Sequence, residues 1–211
     1  MKLTKIETNI KRNLYLQTNF NLNFISSSNY IENQVINIYP HLQGQSIIGF
    51  GAAITQSAAY VLNNIDEQIA NQIIDEYFSN EGLSYSICRL PVGSSDFSPK
   101  SYSYSYKEDL SDFSIENDKF IIQTIKMAQK RSSDLKFLAS PWSPPAFMKS
   151  NNNLYHGGKL LEKYQTLWAK YLVKYVLEYK KENIDINYMT IQNEPNASQP
   201  WESCTYTSQE E

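Results

Sequence analysis

The chain has 211 residues, a mass of 24.4 kDa and a formal net charge of −3, from 19 basic and 22 acidic side chains. This near balance excludes the clustered cations that nucleic-acid or anionic-lipid binding requires. The hydrophobic fraction of 41% is too high for a disordered chain, and the apolar runs are only a few residues long. We therefore expect a folded protein with no nucleic-acid partner and no integral membrane segment.

The N-terminal residues lack an apolar core and a cleavage site, so the sequence predicts no secretory signal and a cytoplasmic location. The two cysteines, Cys88 and Cys204, are too few for a disulfide framework and lack the paired spacing of a zinc site. The two histidines, His41 and His156, are far apart in sequence, which argues against a metal site or a Ser/His triad. No metal site is expected.

Residues 1–46 are polar and rich in Asn and Ser, and they contain two short runs that are typical of strands, at 14–17 and 35–39. From residue 41 onward, strand-like runs alternate with helical segments. Four such runs cover residues 47–54, 85–92, 135–142 and 186–194. Helical spacing of apolar residues predicts helices around 64–77, 120–128 and 161–179, the first of them with Asn64 and Glu67 placed as a capping box.

Strands that alternate with helices indicate parallel β-α-β units. The runs begin about 38 to 51 residues apart, which leaves long strand-to-helix loops and favours a (β/α)8 TIM barrel with its active site at the C-terminal strand ends. A doubly wound sheet is the alternative, but Gly49-Phe-Gly51 lacks the third glycine of a phosphate-binding turn. Residues 47–211 hold about four units, so we expect the first half of a barrel.

The segment 207–211 is similar to a helix N-cap followed by first-turn acids, so the chain is expected to end where a further helix begins. We interpret the chain as the front half of a larger enzyme, either a fragment or a truncated gene product. The missing C-terminal half of the barrel would then be its partner.

Polar or aromatic side chains follow the last three strand-like runs, and in a barrel they would converge on one mouth. Glu194, before Pro195, is a candidate general acid whose pKa an apolar wall would raise, or simply a turn carboxylate. Asp96 is a candidate acceptor for sugar hydroxyls, or an Asx-turn or N-cap residue among serines. Trp142 is either a platform for a sugar or a filler of the barrel top.

Two further side chains belong to the same region. Trp201 lies in the loop after the fourth run and is a candidate wall of a further sugar subsite. Arg89, in the middle of the second run, is expected to be buried and paired with a carboxylate that orients the site. The tyrosines of residues 101–106 are interpreted as part of a loop, without a role.

Five segments in this order carry a family pattern: 49–55 (GFGAAIT), 89–98 (RLPVGSSDFS), 138–145 (LASPWSPP), 164–171 (YQTLWAKY) and 192–195 (QNEP). The pattern resembles glycoside hydrolase family 30, the glucosylceramidase-like enzymes, over about residues 40–211. Asn-Glu-Pro alone recurs across a wider clan of barrel glycosidases. The first 40 residues are similar to the N-terminal strands that join a side β-domain in this family, which implies domains at 1–40 and 41–211.

The resemblance implies a retaining β-glycosidase that uses two carboxyl groups and water, without a cofactor. Glu194 would be the general acid/base, Asn193 would bind the sugar 2-hydroxyl, and Asp96 and Trp142 would hold the glycone. The nucleophile lies on a later strand of the family barrel, and no residue of this chain matches it, which implies that this chain alone is inactive. The alternative is a non-catalytic remnant that binds carbohydrate weakly through Trp142 and Trp201.

The resemblance implies a β-linked glycoside or glycan as the substrate. Glucosylceramide, β-1,6-glucan, xylan and simple glucosides are all open at this point.

Overall fold

A computed structural model describes residues 3–22 and 37–211 of the chain. The chain falls into two compact units, residues 1–46 and 47–211. The sequence predicts a boundary after residue 40, close to this division. The assignment of the first unit to a side β-domain stays a prediction.

The first unit contains an antiparallel hairpin. β1 (Leu3–Asn9) pairs with β2 (Leu14–Leu22), and a 3-10 turn (Ile10–Arg12) joins them. The strand predicted over residues 14–17 is confirmed as the start of β2. The strand predicted over residues 35–39 begins outside the described residues, and its last three residues are irregular.

The second unit alternates helices with strands. Its helices are α1 (Gln56–Leu62), α2 (Glu67–Phe78), α3 (Lys119–Gln129) and α4 (Gln165–Lys181), and its strands are β3 (Ile87–Val92), β4 (Lys136–Pro141) and β5 (Ile186–Met189). The strands form a parallel sheet in the order β3-β4-β5. This sequential order is that of neighbouring barrel strands, and three sequential strands also occur on one side of the switch point of a doubly wound sheet.

The first predicted strand, residues 47–54, is not a regular strand. Only Ala53 forms a bridge, parallel to Arg89 of β3. The backbone comes very close to β3 here, because a Cβ placed on Gly51 would lie 1.6 Å from the carbonyl oxygen of Ile87. Gly51 is therefore accounted for by close backbone packing.

Helix α2 begins differently from the prediction. Its N-cap is Asp66, whose carboxylate accepts hydrogen bonds from two amides of the first turn, at 2.9 and 3.2 Å. The predicted capping box of Asn64 and Glu67 is wrong, because the Asn64 side chain donates to the carbonyl of Tyr60 instead. A carboxylate satisfies two orphan amides and also meets the positive end of the helix dipole, which explains why Asp66 is the cap.

The other helices differ in how well the sequence predicts them. α3 and α4 confirm the helices predicted at 120–128 and 161–179, although α4 starts only after a 3-10 turn (Glu162–Tyr164). α1 is not predicted. Its start signal is Thr55, whose hydroxyl accepts from the Ala58 amide at 3.3 Å.

The core of the second unit lies between the sheet and its helices. Its largest contribution from one helix is a buried aromatic stripe on α4, with members three or four positions apart so that they share one face. The stripe consists of Trp168, Tyr171, Tyr175 and Tyr179. Cys88 and Cys204 are buried free thiols. No helix of residues 3–22 and 37–211 is long and apolar enough to cross a membrane.

Candidate active site

The predicted site residues lie at the C-terminal ends of the three parallel strands. Asp96 follows β3, Trp142 follows β4, and Asn193 and Glu194 follow β5. Backbone pairing continues past the end of β5, because the Asn193 amide donates to the carbonyl of Pro141 at 2.8 Å. We call this strand-end region, formed by Asp96, Trp142, Asn193 and Glu194, the mouth.

Arg89 ties the mouth together across all three strands. Its Nε donates to Ser140 Oγ on β4 at 3.0 Å, and its Nη2 donates to Asn193 Oδ1 beyond β5 at 2.8 Å. The guanidinium carbon lies 4.7 Å from the centroid of the Trp142 ring, which is a cation–π geometry. One side chain of β3 thereby contacts a residue of β4 and a residue of the segment that follows β5.

The expected ion pair of Arg89 is not formed. The side chain is partly exposed, its hydrogen-bond acceptors are neutral oxygens, and none of the ion pairs formed by the described residues includes it. Burial lowers the pKa of Arg89, and the negative charges of Glu194 and Asp96 partly oppose this. Both carboxylates therefore lie within electrostatic reach of one guanidinium whose charge no direct partner neutralises.

Asp96 and Trp142 are in direct contact. The indole Nε1 of Trp142 donates to Asp96 Oδ1 at 3.0 Å. Asp96 does not cap its own turn, since the Ser95 hydroxyl accepts from the Phe97 amide at 3.2 Å and the Ser98 hydroxyl accepts from the Ser95 amide at 3.0 Å. The two serines perform the capping, and the Asp96 carboxylate stays exposed.

The two candidate tryptophans occupy different settings. Trp142 is only 9% exposed, with Arg89 over its ring, so it offers little open face and is well placed to orient Asp96. Its role as a sugar platform stays a prediction. Trp201 is partly buried in the loop after β5, and within residues 37–211 no hydrogen bond or ring contact joins it to the other four predicted residues.

Asn193 is oriented by Arg89. Because a guanidinium only donates hydrogen bonds, the atom that faces Arg89 must be the side-chain oxygen of Asn193. The amide nitrogen, with its two protons, points the other way. Within residues 37–211 no acceptor takes the protons of this nitrogen, so Asn193 can donate to a ligand hydroxyl.

Glu194 does not lie at the tip of a regular strand, since β5 ends at Met189. Its backbone is left-handed, with φ of 48°, and its side chain is exposed rather than enclosed by an apolar wall. A non-glycine residue in this region costs about 1–2 kcal/mol. The local turn holds it there, because the Ala197 amide donates to the Glu194 carbonyl at 2.9 Å. Strain of this kind is concentrated at functional positions.

A lysine that the sequence does not mark as a candidate joins two loops of the mouth. Lys149 is 2% exposed, and its Nζ donates to the carbonyls of Asn153, Leu154 and Ser203 at 2.6, 3.0 and 2.7 Å. Burial lowers its pKa to about 8. Lys149 thereby fastens the β4 loop (residues 142–161) to the loop that follows β5.

A second cross-link reaches the loop after β3. Ser94 Oγ donates to Glu202 Oε1 at 2.6 Å, and both residues are buried. The β3 loop (residues 93–118) is therefore fastened to the β5 loop (residues 190–206). Within residues 3–22 and 37–211, the His, Cys, Asp and Glu side chains form no group of three that could hold a metal ion.

A family model described as the glycosyl hydrolase family 30 TIM-barrel domain matches residues 47–209. A Caenorhabditis elegans relative, named as a candidate glucosylceramidase, is 38% identical over 161 residues, which is 72% of this chain and 31% of that protein. The lysosomal acid glucosylceramidase of Mus musculus is 32% identical over 77% of this chain and 34% of its own length. The endo-1,6-β-D-glucanase BGN16.3 of Trichoderma harzianum is 31% identical over 74% and 35%.

Two solved structures are also similar to this chain. The crystal structure of SrfJ from Salmonella typhimurium has a TM-score of 0.94 and 33% identity, and covers 100% of this chain and 48% of that chain. The endo-β1,6-glucanase BT3312 has a TM-score of 0.77 and 30% identity, over 82% and 40%. The predicted TIM-barrel class is confirmed. The chain spans about half the length of SrfJ and about a third of the curated relatives.

Proposed function

This chain belongs to glycosyl hydrolase family 30, and from that premise we propose that it carries the acid/base side of a retaining β-glycosidase site. One arrangement supports the proposal above all others. Arg89 contacts Asn193, the neighbour of Glu194, and also lies over Trp142, which holds Asp96. A candidate proton donor and candidate sugar-binding groups thus meet at the ends of adjacent strands.

In the proposed reaction, Glu194 donates a proton to the glycosidic oxygen as the bond to the leaving group breaks. It later removes a proton from the water that attacks the glycosyl intermediate. A retaining mechanism needs a second carboxylate about 5–5.5 Å away as the nucleophile, and we assign that role to no described residue. By the family pattern, a later strand of the complete barrel supplies it.

The sugar is held by groups with complementary hydrogen-bonding capacity. Asn193 donates from its free amide nitrogen to the sugar 2-hydroxyl, a contact that strengthens in the transition state. The exposed carboxylate of Asp96 accepts from hydroxyls of the glycone, while the indole of Trp142 fixes its direction. Trp201 forms a wall of a more distant subsite.

The substrate that we propose is a β-linked glucoside or glucan. The names of the relatives include a glucosylceramidase and two endo-1,6-β-glucanases, whose named activities share a β-glucosyl unit. This unit is the part of the substrate that the mouth would recognise.

Replacement of Glu194 by Gln tests the acid/base role. In the complete translation product of the gene, we expect hydrolysis of an aryl β-glucoside with a poor leaving group to fall by about 10²–10⁴-fold, because no proton reaches the departing oxygen. A dinitrophenyl β-glucoside, whose leaving group needs no proton, should lose much less in its cleavage step. The matched control is Glu162→Gln, because Glu162 is an exposed glutamate in the 3-10 turn before α4.

Full turnover of both substrates by Glu194→Gln would show that the role is assigned to the wrong residue. If the unaltered protein binds gluco-oligosaccharides but hydrolyses none, the non-catalytic carbohydrate-binding alternative is favoured instead.

A further inference from the structure

A fully buried carboxylate at the last residue of the β3 loop accepts hydrogen bonds from three tyrosine hydroxyls. Asp118 is 0% exposed, and Tyr102, Tyr104 and Tyr179 donate to it at 2.5, 2.6 and 2.7 Å. Two of these tyrosines belong to the β3 loop and the third to α4. We call these four residues the tyrosine cluster. It fixes the loop that carries Asp96 to a core helix.

The charge of Asp118 decides which way the Tyr104 hydroxyl points. A hydroxyl has one proton, and a carboxylate can only accept, so the Tyr104 proton must go to Asp118. The lone pairs of the same oxygen are then available to the amide of Gly93, whose nitrogen lies 2.8 Å away. The charge of Asp118 thus orients the Tyr104 hydroxyl so that its oxygen accepts a hydrogen bond from the Gly93 amide, directly after β3.

Gly93 is the first residue after β3, and it lies three positions before Asp96. Its φ of +80° is a conformation that glycine adopts without steric cost. The next residue, Ser94, is also held, since its Oγ lies 3.0 Å from the amide nitrogen of Tyr102 and donates to Glu202. The first turn of the loop is therefore fastened at two successive residues.

Ring packing alone does not require this arrangement. Tyr175 stacks on Tyr104 in the same core, with ring centroids 5.7 Å apart, and in the described part of the chain its buried hydroxyl makes no hydrogen bond to Asp118. Asp118, in contrast, is a buried charge that must be compensated. Burial raises its pKa to about 6, although the three tyrosine hydroxyls oppose the shift. Because a carboxylate is costly to bury and Asp118 sets the direction of the Tyr104 hydroxyl, packing alone does not explain its presence.

We propose that Asp118 is a positioning residue for Asp96. Through Tyr104 it fixes the backbone at Gly93, and this holds the Asp96 carboxylate against the indole of Trp142. The effect on catalysis rests on the proposed function, whereas the effect on geometry can be measured without any activity.

The test compares two tyrosines that donate to the same carboxylate oxygen, Oδ2 of Asp118. Tyr104→Phe removes a hydroxyl that also accepts from the Gly93 amide, whereas Tyr179→Phe removes a donor to Asp118 and leaves the bond between Gly93 and Tyr104 in place. Tyr175→Phe removes a hydroxyl of the same core that bonds neither Asp118 nor Gly93, and it controls for the loss of an oxygen atom. Asp118→Asn can fail to fold, so the tyrosine variants carry the test.

The probe is the indole N–H signal of Trp142 in a ¹H–¹⁵N spectrum of the complete translation product, identified from its loss in Trp142→Phe. We expect Tyr104→Phe to shift or broaden this signal, because the bond to Asp96 loosens. Tyr179→Phe and Tyr175→Phe should leave it in place. In the same samples, kcat/KM for the aryl β-glucoside should fall about tenfold in Tyr104→Phe and less than twofold in the other two.

An unmoved Trp142 signal in folded Tyr104→Phe overturns the proposal. An equal shift in Tyr179→Phe also overturns it, because the cluster would then act only through general stability. If the signal moves selectively but the unaltered protein hydrolyses no glucoside, the positioning role is supported and the proposed function is refuted.

Discussion

Arg89 and Asp118 orient their neighbours because each has only one kind of hydrogen-bonding capacity. A guanidinium donates and never accepts, so Arg89 turns the side-chain oxygen of Asn193 toward itself. A carboxylate accepts and never donates, so Asp118 accepts hydrogen bonds from the hydroxyls of three tyrosines. At the scale of single residues, the direction of the Asn193 amide and of the Tyr104 hydroxyl follows from the charged group beside each of them.

The buried charge of Asp118 makes stability depend on pH. Its folded pKa of about 6 lies above the ordinary value of 3.8, so the folded state binds the proton more tightly than the unfolded state. This contribution is fully present below about pH 4 and is lost as the pH rises through 6, by a total on the order of 2–3 kcal/mol. Urea unfolding of the complete translation product between pH 4 and pH 7 measures it.

The variant Asp118→Asn, where it folds, should lack this fall in the free energy of unfolding between pH 4 and pH 6. The exposed Asp109→Asn serves as the control and should retain it. A wild-type protein that becomes more stable as the pH rises from 4 to 6, with the same slope in Asp118→Asn, would contradict the assignment.

Elements were predictable from the sequence where side chains repeat with a fixed period. β3, β4, α3 and α4 follow from apolar runs and from a helical stripe. The short α1 is not predictable from the sequence, because its seven residues bury only Ala59 and show little periodic spacing of apolar side chains. The first predicted strand runs beside β3 and makes three backbone hydrogen bonds with it and with the residue before it, through Phe50, Ala52 and Ile54, but its regular pairing is limited to the bridge at Ala53.

The convergence of the mouth was also predictable, because parallel strands place their C-terminal ends together. The contacts that fasten the loops of the mouth to one another were not predictable from the sequence. Lys149 has a carbonyl partner 54 positions away in Ser203, and Ser94 lies 108 positions from Glu202. A lone lysine or serine in a loop sequence carries no sign of such a partner.

The loops of the mouth depend on Lys149, and its replacement by Met tests this dependence. Methionine keeps much of the volume but leaves three carbonyl oxygens without this donor, of which that of Ser203 is in a buried residue. We expect a loss of about 1–3 kcal/mol in the free energy of unfolding. Proteolysis should also become faster within the β4 loop, because that loop is no longer fastened to the β5 loop.

Lys130→Met, at an exposed lysine after α3, is the matched control and should change neither measurement. Unaltered stability and protease resistance in Lys149→Met would mean that the backbone hydrogen bonds between the two loops suffice without the lysine.

At the scale of the whole molecule, the described strands account for only part of a closed barrel. In the second unit, β5 pairs with β4 along one edge, and the chain covers 48% of the SrfJ chain. The segment beside β3 exposes large apolar side chains, with Ile47 at 71%, Ile48 at 58% and Phe50 at 70%. A closed barrel leaves neither free sheet edges nor an open interior.

The 211-residue polypeptide produced alone should therefore bind a hydrophobic dye and unfold over a broad range of urea concentration, because its apolar surface lacks a partner. Co-expression with the C-terminal half of SrfJ should reduce dye binding, if that half covers the same surface. A variant that combines Ile47→Thr, Ile48→Ser and Phe50→Ser should bind less dye, but its unfolding in urea should not become more cooperative. Sharp two-state unfolding of the isolated polypeptide, with no dye bound, would instead show that these residues pack into a self-sufficient fold.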